Sequence, residues 1–273
     1  MRTEWPLAAL LLLLVLVAVA LLAQPWWARR RQARLLRLPF PPAWALILQQ
    51  RVPLAARLPT ALAPRLQRLI RIFIADKPFI GCDGQTIDDE VRVTIAAHAC
   101  LLLLGQPGDA CYPRLRQVLV YPAAFVVPRR QWLPGGVVHE QPQALIGESW
   151  HQGQVILAWS AVRSGADAAD DGRNVVLHEF AHQVDQDGGQ ADGRPWRADA
   201  ATARRFAAVM AQAFARLQHE PSAALDPYGA SEPAEYFAVA TEAFFERPQA
   251  LAAEAPEVYA ELAQLYRLDP ATW

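Results

Sequence analysis

The chain has 273 residues, 53% of them hydrophobic and 19% charged, with 26 basic against 27 acidic side chains and a formal net charge of −1. That length supplies one large domain or two small ones with a sizeable core. The apolar fraction excludes wholesale disorder, and the near-neutral balance gives no global electrostatic reason to bind nucleic acid.

Pro6 to Ala23 form an uncharged, almost wholly apolar run. Its 18 residues at 1.5 Å each reach about 27 Å, close to the roughly 30 Å hydrocarbon thickness of a bilayer. Trp26 and Trp27 stand where an interfacial aromatic belt would lie, and Arg29, Arg30, Arg31, Arg34 and Arg37 follow. Ahead of the run are only one Arg and one Glu, so the positive-inside rule puts the C-terminal side in the cytoplasm. A cleaved signal peptide, with Ala18 and Ala20 near the cleavage site, is the alternative. The weakly positive leading segment and the arginines just past the run oppose it. Three cysteines, Cys82, Cys100 and Cys111, lack metal-knuckle spacing, and an odd count cannot close a disulfide framework, which fits a reducing compartment.

The expected organisation is a transmembrane anchor over 1–28, a basic and Pro-rich linker with short helices over 29–64, and the main body over 65–273. Residues 87–104 read as a helix, with Asp88, Asp89 and Glu90 in its first turn and Gly105 closing it. The β-branched and aromatic segments 118–122, 124–127 and 154–159 read as strands. From 171 onward the pattern is helical over 172–186, about 198–218, 233–246 and 256–266. The fold class is α+β, helix-dominated, with a small mixed sheet ahead of a helical C-terminal half.

Residues 178–182 read His-Glu-Phe-Ala-His, an H-E-x-x-H pattern. Residues four apart on a helix share a face, so His178 and His182 can point at one tetrahedral zinc. Glu179 would sit beside the metal, placed to take a proton from water whose pKa zinc lowers to about 7. The flanking Val175, Val176, Leu177, Phe180, Ala181 and Val184 bury this helix, and buried polar groups need a reason. Asp170 or Asp171 offers its N-cap, and Gly188-Gly189 its end. Asp185 and Gly188 stand where a metzincin would carry glycine and a third histidine, which excludes that class. The third ligand must come from elsewhere. Asp185 shares the histidine face and suits an orienting carboxylate, or a ligand. Glu232, Glu235 and Glu242 are open candidates, and Glu235 and Glu242, seven apart, share a face, so one can bind metal while the other supports it. His98, His139, His151 and His219 read as packing or solvated histidines, and Cys100 as a small buried hydrophobe.

Several segments together resemble the Mlc titration factor A family of bacterial zinc-dependent peptidases. They are FIGCDG (79–84), IAAHACLLLL (95–104), WHQGQVIL (150–157), VLHEFAHQVD (176–185), ADG (191–193) and YGASEPAEYFAV (228–239). Their order follows the family from about residue 40 to about 265. The resemblance implies a zincin-like metalloprotease domain similar to the catalytic domain of anthrax lethal factor. It implies one Zn2+ held by His178, His182 and Glu235, Glu179 as general base and Tyr228 as the tyrosine that meets the transition state. It further implies peptide or protein substrates, an aminopeptidase-like activity and a transcriptional repressor as partner. The alternative function is a regulatory protein that sequesters such a repressor, with or without peptidase activity. Two features depart from the family: the N-terminal anchor, which locates the chain in a bacterial inner membrane with its catalytic domain in the cytoplasm, and His98 in place of Gln. A strand such as 154–159 is expected to pair with the extended substrate.

Overall fold

The computed structural model describes residues 4–133, 137–145, 147–150, 153–168, 170–186, 192–195 and 199–273; over 125–150 it describes the backbone alone. The chain divides into two compact units, Met1–Phe40 and Pro41–Trp273.

The first unit is the helix α1 (Glu4–Arg37). Within it the Arg30 guanidinium lies 3.7 Å above the Trp26 ring, a cation–π contact. Side chains from Leu10 to Val17, together with Val19, are exposed. Among the described residues no helix is long and apolar enough to cross a membrane. The transmembrane anchor expected from the sequence is therefore without support in the fold.

The second unit opens with α2 (Pro42–Arg51) and α3 (Pro53–Arg57), each started by a proline whose missing N–H costs nothing in a first turn. Next comes α4 (Ala63–Asp76), whose Leu66, Leu69, Ile70 and Phe73 form an i, i+3, i+4, i+7 stripe into the core. The strand β1 (Phe79–Gly81) leads to α5 (Asp89–Leu101). Asp88 caps α5, its side chain accepting from Val91 N at 2.9 Å, so the helix starts two residues later than expected. Beyond it lie β2 (Gln117–Tyr121), β3 (Phe125–Leu133), β4 (Val137–Leu145), β5 (Gly147–Trp150), β6 (Gln154–Ala158) and α6 (Trp159–Asp167). The C-terminal half is helical: α7 (Val175–Gln186), α8 (Ala200–Leu217), a 3-10 turn (Pro227–Ala230), α9 (Pro233–Glu246), α10 (Pro248–Glu254), α11 (Pro256–Tyr266) and a last 3-10 turn (Pro270–Thr272).

The sheet has the order β1-β2-β6-β5, with β5 antiparallel to β6 and the other pairs parallel. It is mixed and small, as expected for this α+β fold. β3 and β4 form a separate antiparallel ribbon. The order corrects the reading of 154–159 as the strand that meets substrate. β6 is hydrogen-bonded on both sides, to β2 and β5, and Trp159 already belongs to α6. Among the described residues the edges of the sheet are β1 and β5, and β5 packs against α7.

Aromatic contacts pin α7 to the core. The Phe180 ring lies 4.8 Å from that of Tyr112 and 5.6 Å from that of Phe73, both edge-on. Tyr112 Oη in turn donates to Ala99 O at 2.6 Å, which ties the cluster to α5.

Candidate metal centre

The site is assembled on two helices, α7 and α9, that pack against each other. The start of α7 is set by Asn174, not by Asp170 or Asp171 as expected. Asn174 Oδ1 accepts from Val176 N at 3.2 Å and Leu177 N at 3.1 Å. Asp171 is spent one turn earlier, where it accepts from Arg173 N at 2.8 Å beside Gly172 at φ +80°. The expected end at Gly188-Gly189 lies outside the described residues.

From this start, the helical repeat places His178 and His182 on one face, their ring centroids 4.9 Å apart. Glu235, in the first turn of α9, meets them. Its Oε2 is 2.9 Å from His178 Nε2 and 3.5 Å from His182 Nε2. The donor atoms of the three residues all lie within 4.8 Å of one another. Donors bonded at about 2.0–2.2 Å to a tetrahedral ion stand about 3.4 Å apart, so this His, His, carboxylate set has the spacing and chemistry of a site with a further position left open.

Two turns along α9, Glu242 takes the other side of His178: its Oε2 lies 2.9 Å from Nδ1. Its Oε1 accepts from Asn174 N at 2.7 Å. The seven-residue spacing therefore splits the two roles left open in the sequence, with one carboxylate at each nitrogen of a single imidazole. With a metal bound, a carboxylate at Nδ1 would keep a proton there and leave the Nε2 lone pair for the ion; without one, Nε2 donates to Glu235. Behind this pair, Asn174 Nδ2 donates to buried Glu246 Oε1 at 3.0 Å.

The electrostatics follow from burial and charge. Burial pulls the His178 imidazole down, but Glu242, Glu235 and Glu179 outweigh it and hold it well above its usual range. Burial raises Glu235, yet hydrogen bonds from both histidines take it well below the usual carboxylate range, so it stays ionised. Burial also raises Glu242 despite His178, and pushes Glu246, next to the Glu242 charge, up to about 8.

Glu179 is buried beside the cluster. Tyr228 sits on the 3-10 turn ahead of α9, which Asp226 caps by accepting Tyr228 N at 2.9 Å. Its ring is 6.1 Å from the His178 ring and half exposed. Glu232, the residue before α9, is exposed and outside the cluster. Asp185 is also outside it. Fully buried, it accepts from Gly193 N at 2.6 Å through Oδ2, and burial pushes it up to about 6. Of the other histidines, His98 is buried with Nδ1 2.9 Å from Thr94 O, and burial lowers it to about 4, which keeps it neutral. His219 follows α8 on the exposed surface. His139 is described by its backbone alone, and His151 lies outside the described residues. The roles of Asn174 and Glu246 are absent from the sequence reading. An Asn directly before an apolar helical run is the capping signal that could have found the first.

Residues 25–267 match the model of the glucose-regulated metallo-peptidase M90 family. The chain belongs to this family. An uncharacterized protein of Synechocystis sp. is 38% identical over 97% of this chain and 98% of its own length. Mlc titration factor A proteins of Salmonella gallinarum and Salmonella typhimurium are each 34% identical over 80% of this chain and 84% of theirs. M90 membership makes the chain a metallopeptidase by family, and a metallopeptidase implies a metal ion. His178, His182 and Glu235 form a group able to hold one.

Proposed function

We propose that this M90 chain hydrolyses peptide bonds with one Zn2+, held by His178, His182 and Glu235. The carrying observation is the convergence of these three donors while Glu242 backs His178 from its far nitrogen. When bound, zinc supplies a polarised carbonyl and acidifies a water to near neutrality. Glu179, buried beside the histidines, is the base that would take a proton from the attacking water and pass it to the leaving amine. The Tyr228 hydroxyl donates to the oxygen on which charge develops. Glu242 keeps His178 in the tautomer that presents Nε2. The edge of β5 beside α7, unpaired among the described residues, offers main-chain groups to an extended substrate, so recognition is general for backbone and loose for side chains.

The test uses the full chain in detergent. Wild type takes up one zinc and cleaves fluorogenic peptides, and faster when their N-terminus is free if the activity is aminopeptidase-like. Glu179→Gln keeps the zinc and loses the hydrolysis. Wild-type turnover by that variant refutes the mechanism. The name Mlc titration factor A belongs to the Salmonella relatives, and a repressor partner for this chain is a proposal from that name alone. Retention of Glu179 favours the peptidase, because a purely structural zinc has no use for a base.

Location in a bacterial inner membrane, with the C-terminal body in the cytoplasm, is likewise proposed. It rests on the uncharged Pro6–Ala23 run and the five arginines behind it. A C-terminal tag should resist protease in intact cells until the inner membrane is opened; digestion from the periplasm reverses the orientation.

A further inference from the structure

We infer that Asp185 and Gly193 form a clasp that positions Glu235 against the two histidines, so that both are positioning residues of the metal centre. The inference rests on the metal reading above and concerns how the third ligand is held in place.

Asp185 lies one turn beyond His182 on α7 and is fully buried. Its Oδ2 accepts from Gly193 N at 2.6 Å. Asp192 shapes the turn around that glycine by accepting from Arg194 N at 3.1 Å. Gly193 in turn lies flat on the peptide that begins α9. A Cβ there would stand 2.5 Å from Pro233 O, 2.9 Å from Pro233 C and 3.4 Å from Ala234 N. The next residue is Glu235. A closed circuit results: His182, Asp185, Gly193, the Pro233–Ala234 peptide, Glu235, and back to His182 at 3.5 Å.

Two properties fit residue 193 for this place. Its φ of +75° favours glycine, and the approach to Pro233 leaves no room for a side chain. Asp185, for its part, supplies an acceptor inside the protein, where an unmet Gly193 N–H would be costly. Asp185 also interacts with His182 through charge, but among the described residues no hydrogen bond runs from the clasp to the three donors; what the clasp itself sets is the distance from the end of α7 to the start of α9. Asn174 and Glu242 do the same for the opposite end of α7.

A site that is only packing would lose stability on mutation and leave metal affinity alone. Gly153 is the matched control. It has φ +77°, and a Cβ there would stand 2.5 Å from Arg114 O, a clash of the same size at a position outside the circuit. The experiment measures Co2+ affinity by chelator competition, the Co2+ absorption spectrum and the thermal midpoint, for wild type, Gly193→Ala, Asp185→Ala, Asp185→Asn and Gly153→Ala. We expect Gly193→Ala and Asp185→Ala to bind Co2+ about 10- to 100-fold more weakly, with a changed spectrum. Asp185→Asn keeps an acceptor for Gly193 N and should stay near wild type. Gly153→Ala should melt earlier and bind normally. If Gly193→Ala does not fold, the Asp185 pair decides. Wild-type affinity and spectrum in both Gly193→Ala and Asp185→Ala overturn the clasp, as does an equal loss of affinity in Gly153→Ala. A wild type that takes up no Co2+ overturns the metal reading itself and the clasp's role with it.

Discussion

Replacing Glu242 by glutamine removes one oxygen acceptor from a place where two donors need one each. Oε2 stands 2.9 Å from His178 Nδ1 and Oε1 accepts from Asn174 N at 2.7 Å. The amide can face this pair in two ways. With its oxygen on His178, its NH2 confronts the Asn174 N–H, and a buried donor without an acceptor costs about 1–3 kcal/mol. With its NH2 on His178, Nδ1 must accept, the proton moves to Nε2, and the lone pair that would meet the metal is lost. Either way the metal-competent state becomes the rarer one. The expected loss of metal affinity is about 10- to 100-fold, equivalent to about 1.4–2.7 kcal/mol. Chelator competition on the apo-protein reads it directly, and zinc content at saturating metal should stay near one per chain. Unchanged affinity in Glu242→Gln would mean that the carboxylate does not set the His178 tautomer, and the two-sided reading of this imidazole would fall.

Glu235→Ala, by contrast, removes a donor atom, and the purified variant should hold far less zinc than wild type even at saturating metal. Normal zinc there with an empty site in Asp185→Asn would transfer the ligand role to Asp185. Tyr228→Phe should keep full zinc and lose roughly 10²–10³-fold in turnover, the cost of one oxyanion donor; unaltered turnover removes Tyr228 from the chemistry. Glu246 gives a pH test of stability. Its folded pKa of about 8 stands above the ordinary 4.5, so the folded state holds a proton that the unfolded chain has released. Its contribution is therefore full below about 4.5 and falls away as the pH rises toward 8. Glu246→Gln copies the protonated form, and urea midpoints across that window should decline less steeply than in wild type. An unchanged slope refutes the assignment.

The legible parts of the fold were those with punctuation. α9 runs from Pro233 to Glu246 as expected, because a proline at its first position and a dense apolar pattern mark it. α5 was announced by Asp88. Where punctuation was missing, so was the element. α4 has a clear apolar stripe but starts behind Leu62, which offers no side-chain cap, so no boundary signal marks it in the sequence. β1 and β5, of three and four residues, are too short for alternation to register. The β-branched run of β6 carried the strand reading one residue too far, into Trp159 of α6. In the site, the spacing of His178 and His182 needed only a helix. Choosing between Glu235 and Glu242 needed the packing of α9 on α7, which no local pattern contains.

The three converging donors do not share one local stability. His178 and His182 lie inside a helix capped by Asn174 and pinned to the core by its own Phe180 against Tyr112. Glu235 lies in an opening turn, where amides lack helical acceptors and fraying begins; the cap residue Glu232 makes no side-chain bond there, and the ladder starts only with Tyr236 N on Glu232 O at 2.9 Å. An ion bridging the two helices would staple that fraying end to a rigid one. Hydrogen exchange at the Tyr236 and Phe237 amides should then slow sharply on metal loading, while the amides of α7 change little. Chelation would release the third ligand first, leaving a two-histidine remnant on an intact helix.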